Sequence, residues 1–145
     1  MVIKLLPNQI ANMWPYIKYG LHESKPAGID FTELNMRNVL MNLLIGKAQC
    51  WAIVNPDEED SLYGFALTSV SVDDISGNRF LNIYDLFSFK PLQKNMLEEG
   101  ISALTEFAKA NECKKMSAYT MVPSIVSMAK TVGFTASYTF LLKEL

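Results

Sequence analysis

The sequence predicts a single-domain α/β (α+β) protein with a mixed, mostly antiparallel central sheet flanked by about four helices. Three observations predict it. Residues 49–89 carry three runs of strand-forming residues joined by polar turns, the pattern of an antiparallel meander. Helical periodicity lies before and after that meander, not within it. Residues 80–134 then read strand, loop, amphipathic helix, strand, helix, so that one helical crossover joins two strands expected to lie parallel.

The bulk numbers set the frame. The chain has 145 residues, read as one domain spanning 1–145. A chain of this size buries roughly 70% of its unfolded surface, enough for one real core. It is 50% apolar and 19% charged, which argues against disorder. A net charge of -2 without a basic stripe gives no reason to expect nucleic acid as a partner. The first apolar run, residues 2–6, is short and is stopped by Pro7, unlike a signal peptide, and no window reaches the ~20 apolar residues of a membrane span. Cys50 and Cys113 fit reduced thiols in a cytoplasmic setting, with a disulfide between them left open. His22 is the single histidine and has no cluster of ligand residues around it, which argues against a transition-metal site.

In chain order, residues 2–6 are a strand candidate. Asn8 is the expected cap of a helix carrying Ile10, Met13, Trp14 and Ile17, with a kink or restart at Pro15. Residues 22–28 read as a loop. Asp30, with Glu33 three residues on, is the expected start of a second helix that Gly46 ends. Strands follow at 49–55 and 62–72, the latter with Gly64 as a bulge marker, and at 80–89 after an Asp73-to-Asn78 hairpin. In the third strand, simple alternation puts Leu81, Ile83, Asp85, Phe87 and Phe89 on one face. A helix is expected over 95–111, where Gly100 suggests close packing on a strand. A strand at 115–121, a helix at 122–132 and a last strand at 135–142 complete the chain. Met13, Met36, Met41, Met96 and Met128 are expected to fill core gaps, as are most aromatics of the third strand.

This order, with Trp14-Pro15, Gln49-Cys50-Trp51-Ala52, residues 108–113 and Val132-Gly133-Phe134 as local markers, resembles the GNAT family of N-acetyltransferases over nearly the whole chain. More narrowly it resembles the small GNAT-like proteins encoded by bacteriophages, some of them associated with the virion interior. The resemblance implies a helix N-terminus whose free backbone N–H groups cradle the pyrophosphate of acetyl-CoA, because those amides lack intrahelical partners and the helix dipole favours an anion. The matching stretch contains Gln93, Lys94, Asn95, Met96 and Leu97, the candidate cofactor-binding residues. Asn95 and Leu97 take the two glycine positions of the family's loop, where side chains would crowd a pyrophosphate. Lys90 and Lys94 offer positive charge. The alternative is an ordinary helix start, its dipole balanced by Glu98 and Glu99.

The family's second marker fares no better. Aligned on Gly133-Phe134, Ala129 takes the place of the tyrosine that returns a proton to the departing thiolate. Tyr119, Ser124 or Ser127 are the available substitutes. Asp85, mid-strand among apolar residues, is the candidate general base, since burial raises a carboxyl's pKa. The alternative for Asp85 is a hydrogen bond to nearby backbone or a place at a bulge. Asp57, Glu58, Glu59 and Asp60 read as a solvated acidic tip.

Two functions follow from this. One is a catalytically degenerate GNAT-fold protein with no cofactor, acting through a protein partner or a homo-oligomer, in the host cytoplasm or the virion. The other is an acetyl-CoA-dependent N-acetyltransferase using Asp85 and Tyr119. The second requires an open V between the strands at 80–89 and 115–121. The first expects that groove filled and an apolar patch exposed elsewhere.

Overall fold

The meander forms as its alternation requires. A computed structural model describes residues 1–26 and 29–145. In it β2 (Ala48–Val54), β3 (Leu62–Val72) and β4 (Arg79–Ser88) pair antiparallel in sequence order. β1 (Val2–Lys4) adds antiparallel to β2, and β5 (Lys115–Ala118) adds parallel to β4, which gives a five-stranded sheet in the order β1-β2-β3-β4-β5. The β3–β4 turn closes because Asp73 accepts hydrogen bonds from the backbone N–H groups of Ile75 and Ser76, both at 2.9 Å.

Helices α1 (Pro7–Ser24) and α2 (Glu33–Leu44) cover one face of the sheet, and α3 (Lys94–Ala110) covers the other. The first layer buries Ile10, Ile17, Leu21, Met36, Cys50 and Phe65, among others, and the second is built on Trp51, Leu81, Leu104 and Ala108. Burying a large aliphatic or aromatic side chain contributes about 1.5 to 3 kcal/mol, so these two layers hold the sheet between the helices. Within the second layer, Trp51 Nε1 donates to Thr68 Oγ1 and that hydroxyl donates to Gln49 Oε1, both at 2.9 Å, which satisfies three buried polar groups. Cys50 and Cys113 are free thiols on opposite faces, so no disulfide joins them within the chain.

Several boundaries differ from expectation. Pro7, not Asn8, opens α1: its fixed φ suits the first helical position, and Gln9 Oε1 accepts the Leu6 N–H at 2.8 Å. The helix runs on through Pro15 without a restart and takes in residues 22–24 of the expected loop. Ala27 and Gly28, the end of that loop, lie outside the described residues. Thr32 rather than Asp30 caps α2, accepting the Asn35 N–H at 3.2 Å. Met41 is exposed rather than core. The segment 135–142 forms no strand, and β5 stops at Ala118 instead of reaching residue 121. α4 (Pro123–Thr131) has no fully buried residue.

Two bulges shape the sheet. At the first, Ile53 pairs with Gly64 and Val54 with Leu62, so Tyr63 is the extra residue, beside the glycine that marked it. A Cβ on Gly64 would sit 2.1 Å from the Phe87 carbonyl oxygen, so the neighbouring strand can approach only because the side chain is absent. At the second, Leu67 pairs with Asp85 and Thr68 with Ile83, which leaves Tyr84 extra in β4. That insertion breaks the expected alternation. Leu81, Ile83 and Leu86 face α3, while Asp85 is turned towards α1, where Phe87 also packs.

The glycines make a paired prediction. Gly64→Ala forces backbone against backbone and should cost about 3 kcal/mol or more. At Gly100 a Cβ would meet only Val2 Cγ2, at 3.6 Å, an ordinary contact. The close packing expected there is absent, and Gly100→Ala should stabilise by up to about 1 kcal/mol. Urea unfolding of the two variants checks both; equal destabilisation would contradict this account.

Candidate functional site

Parallel pairing of β4 with β5 runs from Phe80–Lys115 to Ile83–Ala118 and stops. Beyond that point β4 continues to Ser88 without a neighbour on the β5 side, and the two strands part. Asp85 stands two residues past the last pair on β4, and Tyr119 one residue past it on β5. Ser117 and Asn82 meet on the α1 side of the sheet, Oγ donating to Oδ1 at 3.3 Å. The parting of the strands has the two candidates at its mouth. It does not join them: no hydrogen bond links them among the described residues. Tyr119 is 58% exposed, its ring centroid 4.7 Å from that of Phe140.

Asp85 is the better built of the two. Burial pushes its carboxyl up to about 6, while hydrogen bonds from the Ser24 hydroxyl and the Leu86 backbone N–H work the other way. Ser24 Oγ lies 2.8 Å from Asp85 Oδ2 and also 2.8 Å from the Gly20 carbonyl oxygen. A hydroxyl has one proton to give. With Asp85 ionised, the carboxylate and the Gly20 carbonyl compete for that proton; with Asp85 protonated, its own O–H can donate to Ser24, which donates onward to Gly20. Tyr84, the bulge residue beside it, has its own pKa raised by burial and by the Asp85 charge. Ser24 has no signal in the sequence, since nothing there pairs residue 24 with residue 85.

The candidate cofactor residues divide. Gln93 is the N-cap of α3, and its side chain makes no capping bond. Lys94 and Asn95 are exposed. Met96 is buried beside Ile53 and Tyr63, and Leu97 faces the sheet with Ile83 and Leu86. No acid stands in the first turn of α3, so the expected balance of the dipole is absent there, and Glu98 instead pairs along the helix with Lys94 at 3.8 Å. Lys90 is not available to an anion. Its ammonium is held by Glu58 at 3.4 Å and Asp60 at 3.5 Å, over the Tyr63 ring. The acidic tip is accordingly anchored, with Tyr63 donating to Glu58 at 2.6 Å and holding its carboxyl below the usual range.

Two hollows border β4. On the α3 side, Leu97, Ile101 and Leu104 close against Ile83 and Leu86 and leave an apolar slot of about 60 Å³. On the other side, a cleft of about 700 Å³ opens between α2 and the sheet, lined by Asn35, Asn38, Asn42, Lys47, Ser69 and Tyr84. The cleft was not anticipated. The spacing of the three asparagines along one face of α2 is the signal that was there to find.

No family model matches the chain, and no curated protein matches it in sequence. Solved structures do match. One is an aminoglycoside acetyltransferase from an uncultured soil metagenomic sample, in complex with sisomicin (12% identity, TM-score 0.73, covering 100% of this chain and 94% of that one). Others are a putative acetyl transferase from Pyrococcus furiosus (17%, 0.69, 100% and 99%) and glucosamine-6-phosphate N-acetyltransferase from Arabidopsis thaliana (11%, 0.70, 99% and 97%). The fold is that of the GNAT-type acetyltransferases. At identities this low the likeness is one of fold. Within the GNAT fold, the parting of β4 from β5 and the start of α3 are where the resemblance places the cofactor. The slot on the α3 side is a different place: Val2, Trp51, Ile53 and Ala66 also line it and no β5 residue borders it, so it belongs to the packing between α3 and the sheet.

The carboxyl makes the prediction here. Its folded pKa lies above the unfolded value, so the protonated form is the one folding favours. That contribution is fully present below about pH 4 and is lost as pH rises through about 6. Asn at this position copies the protonated acid, its amide donating to Ser24. Asp85→Asn should match wild type near pH ~4 and exceed it by about 2 to 3 kcal/mol near pH ~8. Denaturant melts at the two pH values read this out, and a constant difference would mean that the carboxyl is solvated.

Proposed function

We propose that this chain is a catalytically degenerate GNAT-fold protein that acts through protein contacts, in the bacteriophage or virion setting that its sequence resembles. One observation carries the reading: side chains stand at both glycine positions of the family's loop, and Leu97, at the second, is packed between α3 and the sheet. The other departures agree with it. Asn95 stands at the first glycine position, Ala129 at the position of the proton-returning tyrosine, and Lys90 is sequestered by Glu58 and Asp60. Apolar surface is exposed elsewhere instead, at Tyr119, Met121, Tyr138 and Leu141.

A second reading, an active acetyl-CoA-dependent N-acetyltransferase, is favoured by Asp85. A carboxyl pushed up to about 6 by burial, beside the parted strands, is suited to take a proton from an amine near neutral pH. In that reading acetyl-CoA is the cofactor and α3 offers its free N-terminal amides.

Thermal unfolding with acetyl-CoA and with free CoA, each carried to millimolar concentration, separates the two. The expected result is no saturable shift. A ligand at 100 times its Kd stabilises by about 2.7 kcal/mol, several degrees for a domain of this size, and a shift of that kind would transfer the assignment to the enzyme.

A further inference from the structure

The cleft beside α2 is lined by polar side chains that the fold itself does not use. Asn38 and Asn42 stand one turn apart inside α2, and both line it. Asparagine disfavours a helix interior relative to alanine, so each weakens α2 on its own account. Neither takes part in a side-chain hydrogen bond among the described residues, whereas Asn35, on the same face, donates to the Asp30 carbonyl oxygen. Ser69 and Tyr84 on the sheet wall, and Lys47 past the end of α2, also line the cleft and stand outside the side-chain hydrogen bonds and ion pairs of the described residues. The volume, about 700 Å³, falls within the ~300 to 1,000 Å³ of ligand sites.

This is not the place where the strands part. Ser69 pairs with Ala48 on one side and Asn82 on the other, and Asn82 pairs with Ser117 of β5. The cleft lies over that continuous end of the sheet, where the backbone groups are engaged in ladders. An occupant must therefore find its hydrogen bonds in side chains. A side-chain amide offers a donor and an acceptor together, the same pair that each residue of a peptide backbone presents. Asn38 and Asn42 are about 6 Å apart along the helix axis. Two residues of an extended chain span about 6.6 Å, so successive repeats of such a chain meet successive asparagines. Leu43 and Leu67, both buried, give the cleft an apolar floor for the side chains that alternate inward. A saccharide would meet the same amides, but it has no two-residue repeat and no charge for Lys47.

We infer that this cleft binds an extended peptide segment of a partner protein, its backbone read by Asn38 and Asn42, its alternate apolar side chains seated on Leu43 and Leu67, and an acidic residue at one end meeting Lys47. This rests on the interaction reading above and names the chemistry of the partner. Asp30 and Lys47 flank opposite ends of α2 and both line the cleft, so the acidic end of the peptide is directed to Lys47 and away from Asp30. Because the asparagines read backbone, the sequence of the peptide is specified only by its alternation and its terminal charge.

NMR titration of the isotope-labelled full chain with the peptide acetyl-SVSVSE-amide, carried to ~10 mM so that even millimolar affinity saturates, tests it. The expected result is a saturable shift of the Asn38 and Asn42 side-chain amide resonances, each assigned by its loss in Asn38→Ala or Asn42→Ala. Each variant should weaken binding about five-fold, with helical circular dichroism unchanged or stronger because alanine favours the helix. Lys47→Glu should move the preference to acetyl-SVSVSK-amide. Methylating the backbone nitrogens of the two valines removes N–H donors and keeps the side chains, and it should abolish the shifts. No saturable shift at these asparagines overturns the inference. So do shifts that survive the methylation or both alanine variants. Saturation of the same resonances by methyl glucoside, and not by the peptide, also overturns it and assigns the cleft to a saccharide. A chain that binds neither this peptide nor acetyl-CoA loses the peptide site alone. One that binds both keeps this inference and loses the degenerate reading.

Discussion

The extra residue at Tyr84 is the constraint on which the middle of this molecule depends. By adding one residue to β4 against consecutive partners in β3, it reverses which side chains face which helix layer. Upstream, Leu81 and Ile83 belong to the α3 layer; downstream, Leu86 keeps that layer while Asp85 turns to α1. A bulge also bends its strand and strengthens its twist, and pairing with β5 ends at Ile83, immediately before it. One inserted residue accordingly accounts for a half-buried carboxyl, a change of face and the parting of two parallel strands.

That carboxyl is pushed towards its protonated form by burial, against hydrogen bonds from Ser24 and the Leu86 N–H that favour the charge. Ser24 ends α1 and Gly20 lies one turn back, so the helix supplies both a hydroxyl and the carbonyl that competes for its proton. Gly20 is needed there for another reason: a Cβ would come within 2.9 Å of the Phe87 ring, which α1 must clear to pack on β4. Packing and protonation are thus tied to the same turn of helix. On the α3 side Leu97 and Ile101 close against β4 and leave a small apolar slot, while on the other side a larger cleft of mixed polar and apolar lining opens beside α2.

The sequence made the layers legible because alternation in β2 and β3, the turn chemistry of Asp73 and Gly77, and the helical spacing of Leu97, Ile101, Leu104 and Ala108 all point the same way. It misplaced α1 and α2 by one to three residues, because several residues near each start can cap and only packing chooses among them. The faces of β4 were unreadable, since a bulge leaves no mark in an alternation that looks regular on both sides of it. Asp85 stood out because an acid amid apolar residues is conspicuous. Ser24 and the α2 asparagines did not, because their neighbours are set by tertiary contact. The segment at 135–142 is the instructive case. Its pattern is a strand's, yet it takes no place in the ladder and meets β5's end only through the Phe140 ring on Tyr119.

Cys50 and Cys113 have a use unrelated to any reaction. Each lies in a different packed layer, and burial pushes the Cys50 thiol up to about 12, leaving it inert while the fold holds. A thiol becomes reactive only when its own layer opens. The sheet therefore carries one silent reporter on each side, and alkylation of one without the other would tell which set of helices lifts away first.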